Sequence, residues 1–185
     1  MSAGSRVAVV IANVSRSRRN RKLDGAATLP RMRGDGDGWV VSDTGARYWG
    51  LHGAAGLMLR APRPDGTPAL LLQHRAWWSH QGGTWGLPGG ARDSHETAEQ
   101  AALREAREEA GLPTDRIVVR AAVVTASADG TSWTYTTVIA DADELLPVVP
   151  DRESAELRWV AVDEVTELPL HPGFAASWAE LRGLG

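Results

Sequence analysis

Two short stretches, 53–60 and 68–75, are apolar at nearly every position and are separated by Pro62, Pro64, Asp65 and Gly66. They predict two strands joined by a turn and covered on both faces, because a half-exposed strand would alternate. Upstream, Trp39-Val-Val and Arg47-Tyr-Trp flank Ser42-Asp-Thr-Gly and predict a hairpin packed on the edge of the domain. Downstream, 117–127 and 133–140 alternate or run apolar around Asp129-Gly130, and 156–162 makes a further strand. A short helix is expected over 163–168. Phe174, Trp178 and Leu181, spaced i, i+4 and i+7, predict a last helix that docks one apolar stripe.

The most regular helical segment lies between these groups of strands. Thr97 and Gln100 form a capping-box pattern, 98–110 holds only good or tolerable helix formers, and Gly111 and Pro113 supply the stop. The order is two strands, a helix, three strands and a helix. It predicts an α/β (α+β) domain with a mixed sheet between helical layers.

On the predicted helix, Ala102, Leu103, Ala106 and Ala110 share one arc, and Glu105, Glu108 and Glu109 share the next. Like charges at this spacing repel, and Arg104 offsets only part of that, so the acid face calls for a cation. Clustered carboxylate oxygens suit hard ions, Mg²⁺ or Mn²⁺.

Composition narrows the partners. The chain has 185 residues, a net charge of −3 and no cysteine, which excludes a disulfide framework and a thiolate zinc site. The acidic balance argues against polynucleotide binding while leaving a free nucleotide open. No apolar run is long enough to span a membrane, and a cytoplasmic location is expected. Residues 1–33 carry an apolar run, 7–14, then Arg16, Arg18, Arg19, Arg21 and Lys22; they read as a flexible basic extension preceding a domain over 34–185. Residues 34–38 read as an acidic loop rather than a calcium site, since an EF-hand needs further ligands at fixed offsets.

Eight Trp against one Phe is unusual. Trp77 and Trp78 lie in a glycine-flexed loop over 76–84, where they either stack a base or close the core beneath the loop. Trp85 reads as structural. Gly89 and Gly90 allow close backbone approach.

The stretch from Gly90 to Leu112 resembles the Nudix box, G-x5-E-x7-R-E-U-x-E-E-x-G-U with U apolar. Gly90, Glu96, Arg104, Glu105, Glu108, Glu109 and Gly111 fill every fixed position, and Leu112 fills the last apolar one. Ala106 is smaller than the aliphatic the family more often carries there. Segments around the box, among them 35–39, 48–50, 73–80 and 170–174, are similar to actinobacterial proteins of the MutT-type branch.

The resemblance implies an αβα sandwich and a metal-dependent hydrolase acting on a nucleoside diphosphate joined to another group. It implies Glu108 and Glu109 as principal metal ligands, Glu105 as ligand or as the base that activates water, Arg104 as the residue orienting Glu105, and the Gly89 carbonyl as a further ligand. Glu96 would support the turn into the helix or bind a further metal, and Glu153 or Glu156 would complete the site from outside the box. Marks that separate family subtypes for ADP-ribose, dinucleoside polyphosphates and NADH are absent at Thr125, Ala126, Ser127 and Ala128. MutT-type nucleoside triphosphates, oxidised guanine nucleotides such as 8-oxo-dGTP among them, are left as the leading substrates. Other diphosphate derivatives are the alternative. A non-enzymatic nucleotide sensor would show degenerate box carboxylates, and all are present here.

Overall fold

A computed structural model describes residues 9–10 and 34–184. Ten strands run in chain order: β1 (Val9–Val10), β2 (Trp39–Val41), β3 (Arg47–Trp49), β4 (Ala54–Pro62), β5 (Pro68–Arg75), β6 (Trp85–Gly86), β7 (Gly89–Ala91), β8 (Val118–Ser127), β9 (Thr134–Asp141) and β10 (Ser154–Ala161). Helix α1 spans Ala98–Ala110 and α2 spans Pro172–Leu181.

β4 and β5 lack alternation because both their faces are covered. Leu57, Leu59 and Leu71 pack in the core layer that includes α1, while Met58, Leu70 and Leu72 pack in the layer that includes α2. The main sheet runs β1-β8-β9-β4-β5-β10, with β6 added to β5 and β7 to β4. β4 and β9 pair in parallel, Ala54 opposite Tyr135, and the other neighbours are antiparallel, so the sheet is mixed as expected. β2 and β3 form the separate hairpin.

The α1 boundaries follow the capping chemistry. The Gln100 N–H donates to Thr97 Oγ1 (3.2 Å), the Thr97 N–H donates to Gln100 Oε1 (2.8 Å), and Gly111 sits at φ 65°. Such a cap contributes about 1 kcal/mol. Ala101, Ala102, Ala106 and Ala110 are fully buried, so methyl groups face the sheet and a larger aliphatic at 106 would enter a packed core. The short helix expected over 163–168 is a single 3₁₀ turn, Val165–Glu167. Phe174, Trp178 and Leu181 are buried in the second layer, which closes the sandwich.

The expected extension over 1–33 lies outside the described residues apart from Val9–Val10, which pairs with Val123 and Ala122 of β8. No helix among the described residues is long and apolar enough to cross a membrane.

Candidate active site

The turn from β7 into α1 sets the acid face of the helix against two glycines. A Cβ at Gly89 would lie 2.3 Å from the Ala55 carbonyl oxygen, and one at Gly90 would lie 2.7 Å from the Glu105 carboxyl. A side chain at Gly89 would push the strand backbone away, and one at Gly90 would displace the Glu105 carboxyl. The Gly89 N–H donates to Glu109 Oε2 at 2.9 Å, tying the glycine turn to the last turn of the helix.

Arg104 organises the other carboxylates. Its Nε and Nη2 donate to Glu96 Oε1 and Oε2 at 2.7 and 2.9 Å, its Nη1 donates to Glu105 Oε1 at 2.6 Å, and Nη2 also reaches the Ala91 carbonyl at 2.9 Å. Glu108 Oε2 lies 3.7 Å from Nη1. The bond to Glu96, foremost among these partners, raises the guanidinium pKa and holds the Glu96 carboxyl below its ordinary range. Glu96 also accepts from the Asp93 N–H at 3.2 Å, closing the loop before the helix.

Glu109 stands apart from this network. It and Glu105 are each 3% exposed. Burial first, then the charge of Glu105, pushes the Glu109 carboxyl up to about 8, against the pull of the Gly89 N–H. Glu109 makes no ion pair among the described residues. A pair of buried carboxyls, with Glu108 at the rim and glycine backbone alongside, is a set of hard oxygen donors crowded enough to drive Glu109 toward its neutral form, and it fits a divalent cation that would relieve the crowding.

Of the carboxylates outside the box, the 151–153 loop is the one that approaches. The Asp151 N–H donates to the Glu109 carbonyl at 3.1 Å, the Glu153 N–H donates to Asp151 Oδ1 at 2.8 Å, and both side chains act electrostatically on Glu109. Glu156 instead forms a two-pronged pair with Arg158 at 2.8 Å on β10. A second acidic group, Asp35, Asp93 and His95, serves as loop glue: Asp35 accepts from the Ser94 N–H and Asp93 from the Gly36 N–H. This fastens the 34–38 loop to the turn before α1.

Beside Gly89 and Gly90 opens a cavity of about 370 Å³, within the range of roughly 300–1,000 Å³ usual for small-molecule sites. Trp39, Tyr48 and Trp49 of the hairpin, Trp133, Arg75 and His171 are among the residues lining it. Trp77 and Trp78 do not line it; they are 85% and 52% exposed on the neighbouring loop. Trp85 is buried and stacks on His74 at 4.7 Å, as its structural reading requires. The structure therefore brings Gly89, Arg104, Glu105, Glu108 and Glu109 together, and does not bring Trp77, Trp78 or Glu156 to them. Sequence reasoning missed the hairpin rings, Arg75 and His171. The available signal was the excess of Trp, which falls partly in the hairpin, but hairpin spacing alone does not say which cavity a ring faces.

Comparison with known proteins agrees with this geometry. The model of the NUDIX domain matches residues 50–181. A Mycobacterium tuberculosis protein named "Putative 8-oxo-dGTP diphosphatase 3" is 75% identical over 155 residues, 82% of this chain and 71% of its own length. An 8-oxo-dGTP diphosphatase of Proteus vulgaris is 42% identical over 62 residues, 34% of this chain and 51% of that protein. Among solved structures, the Nudix hydrolase RenU of M. smegmatis superposes with a TM-score of 0.78 at 68% identity, covering 80% of this chain and 94% of that one. A match across most of the chain, with Glu105, Glu108 and Glu109 of the box on one helix face, means that the chain belongs to the NUDIX hydrolase family.

Proposed function

We propose that this protein is a Mg²⁺-dependent nucleoside triphosphate pyrophosphohydrolase that converts 8-oxo-dGTP to 8-oxo-dGMP and pyrophosphate, with its hydrolase unit over residues 34–185 and a cytoplasmic nucleotide pool as its setting. The observation that carries the reading is the buried Glu105–Glu109 pair against Gly89 and Gly90, at the edge of a nucleoside-sized cavity. The name of the mycobacterial relative supports the choice of substrate.

Glu105, Glu108, Glu109 and the Gly89 carbonyl would hold the metal. A divalent ion there neutralises phosphate charge toward the attacking and leaving oxygens. The protein's own part is positional. Arg104 fixes the Glu105 carboxylate, which takes a proton from a water molecule as that oxygen bonds to phosphorus. The P–O–P bond breaks, and the pair of electrons leaves with pyrophosphate. The Gly89 N–H fixes Glu109, and Glu96 fixes Arg104 in turn.

The test is Glu109→Gln, which keeps the size of the side chain and removes its charge. Turnover in Mg²⁺ is expected to fall by several orders of magnitude with the circular dichroism spectrum unchanged. Near-normal activity in the folded variant would refute the site.

A further inference from the structure

The cavity beside the glycines has a composition opposite to that of the helix. Arg47, Arg75, His80 and His171 line it, and no Asp or Glu does. Of its side-chain hydroxyls, Thr125 and Thr137 bond each other at 3.0 Å and Ser177 donates to the Phe174 carbonyl at 3.2 Å, while Tyr48 and Tyr135 also line it. Arg75 and His171 add N–H donors to this lining.

Arg75 is anchored by its Nε, which donates to the His80 carbonyl at 3.0 Å, and neither Nη donates a hydrogen bond among the described residues. His171 accepts from the Gly173 N–H at Nδ1, 3.1 Å away, which places the proton of the neutral ring on Nε2 as a donor. Burial, with Arg75 and His80 nearby, keeps that ring neutral by lowering its pKa to about 4.

Another part of the lining is aromatic and comes from the hairpin, which precedes the residues matched by the family model. Trp39 meets Trp49 edge-on at 5.1 Å and His80 at 5.8 Å, and the Arg47 guanidinium lies 4.7 Å over the Trp39 ring. The wall is tied to the body: Tyr48 packs on Trp133 at 4.6 Å, and Trp133 Nε1 donates to the Trp49 carbonyl at 3.0 Å. Trp39 and Trp49 are nevertheless 38% and 41% exposed, as rings at the mouth of a site would be.

Flat rings and N–H donors lining one cavity match a planar base whose edge carries acceptors. Carbonyl oxygens of an oxopurine supply them; adenine offers only ring-nitrogen acceptors, and where the oxopurine carries a carbonyl its exocyclic amine would meet donors. We infer that the Trp39–Trp49 hairpin, with Arg75 and His171, is the base-reading wall of this cavity and selects oxopurine over adenine nucleotides. The inference rests on the proposed nucleoside triphosphate hydrolysis.

The experiment measures kcat and KM in Mg²⁺ for 8-oxo-dGTP, dGTP and dATP with the wild-type chain and with Trp39→Ala, Trp39→Phe and Arg75→Gln, each checked by thermal melting. The expected result is a wild-type preference for the oxopurines. Arg75→Gln should reduce that preference on the order of tenfold or more, the scale of a hydrogen bond to a charged donor. Trp39→Ala should raise KM for the oxopurines with kcat nearly kept, and Trp39→Phe should restore it. A wild-type preference for dATP, or ratios that stay at wild-type values in Trp39→Ala and Arg75→Gln, would overturn the inference while leaving the hydrolysis standing. A wild-type chain that turns over none of the three would overturn the hydrolysis and the inference together.

Discussion

Arg104 grips Glu96 with a forked pair of hydrogen bonds, 2.7 and 2.9 Å, across a separation of eight residues. The fork locks the guanidinium so that its remaining Nη1 meets Glu105 at 2.6 Å. Lysine keeps the charge but has no planar fork, so it cannot serve both carboxylates in this geometry. Arg104→Lys is expected to lower kcat by roughly tenfold to a hundredfold, the usual cost of disturbing residues that orient metal ligands. Steady-state kinetics with a circular dichroism control checks this, and an unchanged kcat would mean that Glu105 holds its position without help.

The carboxylates outside the box make contrasting predictions. Glu153 belongs to the loop that bonds the Glu109 backbone, whereas Glu156 is paired with Arg158. Glu153→Gln should weaken metal-dependent turnover several-fold or more, and Glu156→Gln should leave it within about twofold, as a surface pair usually does. Titrating Mg²⁺ against activity in both variants distinguishes them. The reverse ranking would move the site's outer carboxylate to β10.

Acid should loosen the α2 end of the fold. His171 has a pKa lowered to about 4 by burial and by the Arg75 and His80 charges, against an ordinary value of 6.5. Between these values the unfolded chain takes up a proton that the folded ring refuses. The contribution of His171 is therefore fully present above about 6.5 and is lost as the pH falls toward 4. His171→Asn, which keeps an N-cap acceptor, should flatten this part of the stability profile. Melting temperatures measured from pH 7 to pH 4 read the difference, and parallel profiles for the two proteins would contradict it.

Local rules made much of the fold readable. Thr97, Gln100 and Gly111 mark the ends of α1 because caps are decided by near neighbours, and the unbroken apolar runs of β4 and β5 announce a sheet covered on both faces. The carboxylates of the site were readable for the same reason, since one helix carries them at fixed spacing. The parallel pairing of β4 with β9 and the two short strands around Pro88 depend on contacts far apart in the chain, and local pattern does not carry them. The cavity wall was hidden for a related reason. Trp77 and Trp78 sit beside the box in sequence but point outward, while Trp39, Trp49 and Trp133 converge from separate strands and a loop, held by the Trp133–Trp49 bond.

In the proposed function, the acid face of α1 and the cavity beside it together hydrolyse an oxidised guanine nucleoside triphosphate. The most direct measurement is chromatographic product analysis with Mg²⁺, offering 8-oxo-dGTP, dGTP, ADP-ribose and a diadenosine polyphosphate at equal low concentration, with Glu109→Gln alongside. The highest kcat/KM is expected for 8-oxo-dGTP, with release of 8-oxo-dGMP and pyrophosphate and loss of that activity in Glu109→Gln. Preferred cleavage of ADP-ribose or the dinucleotide, or 8-oxo-dGTP turnover that survives in the folded Glu109→Gln protein, would contradict it.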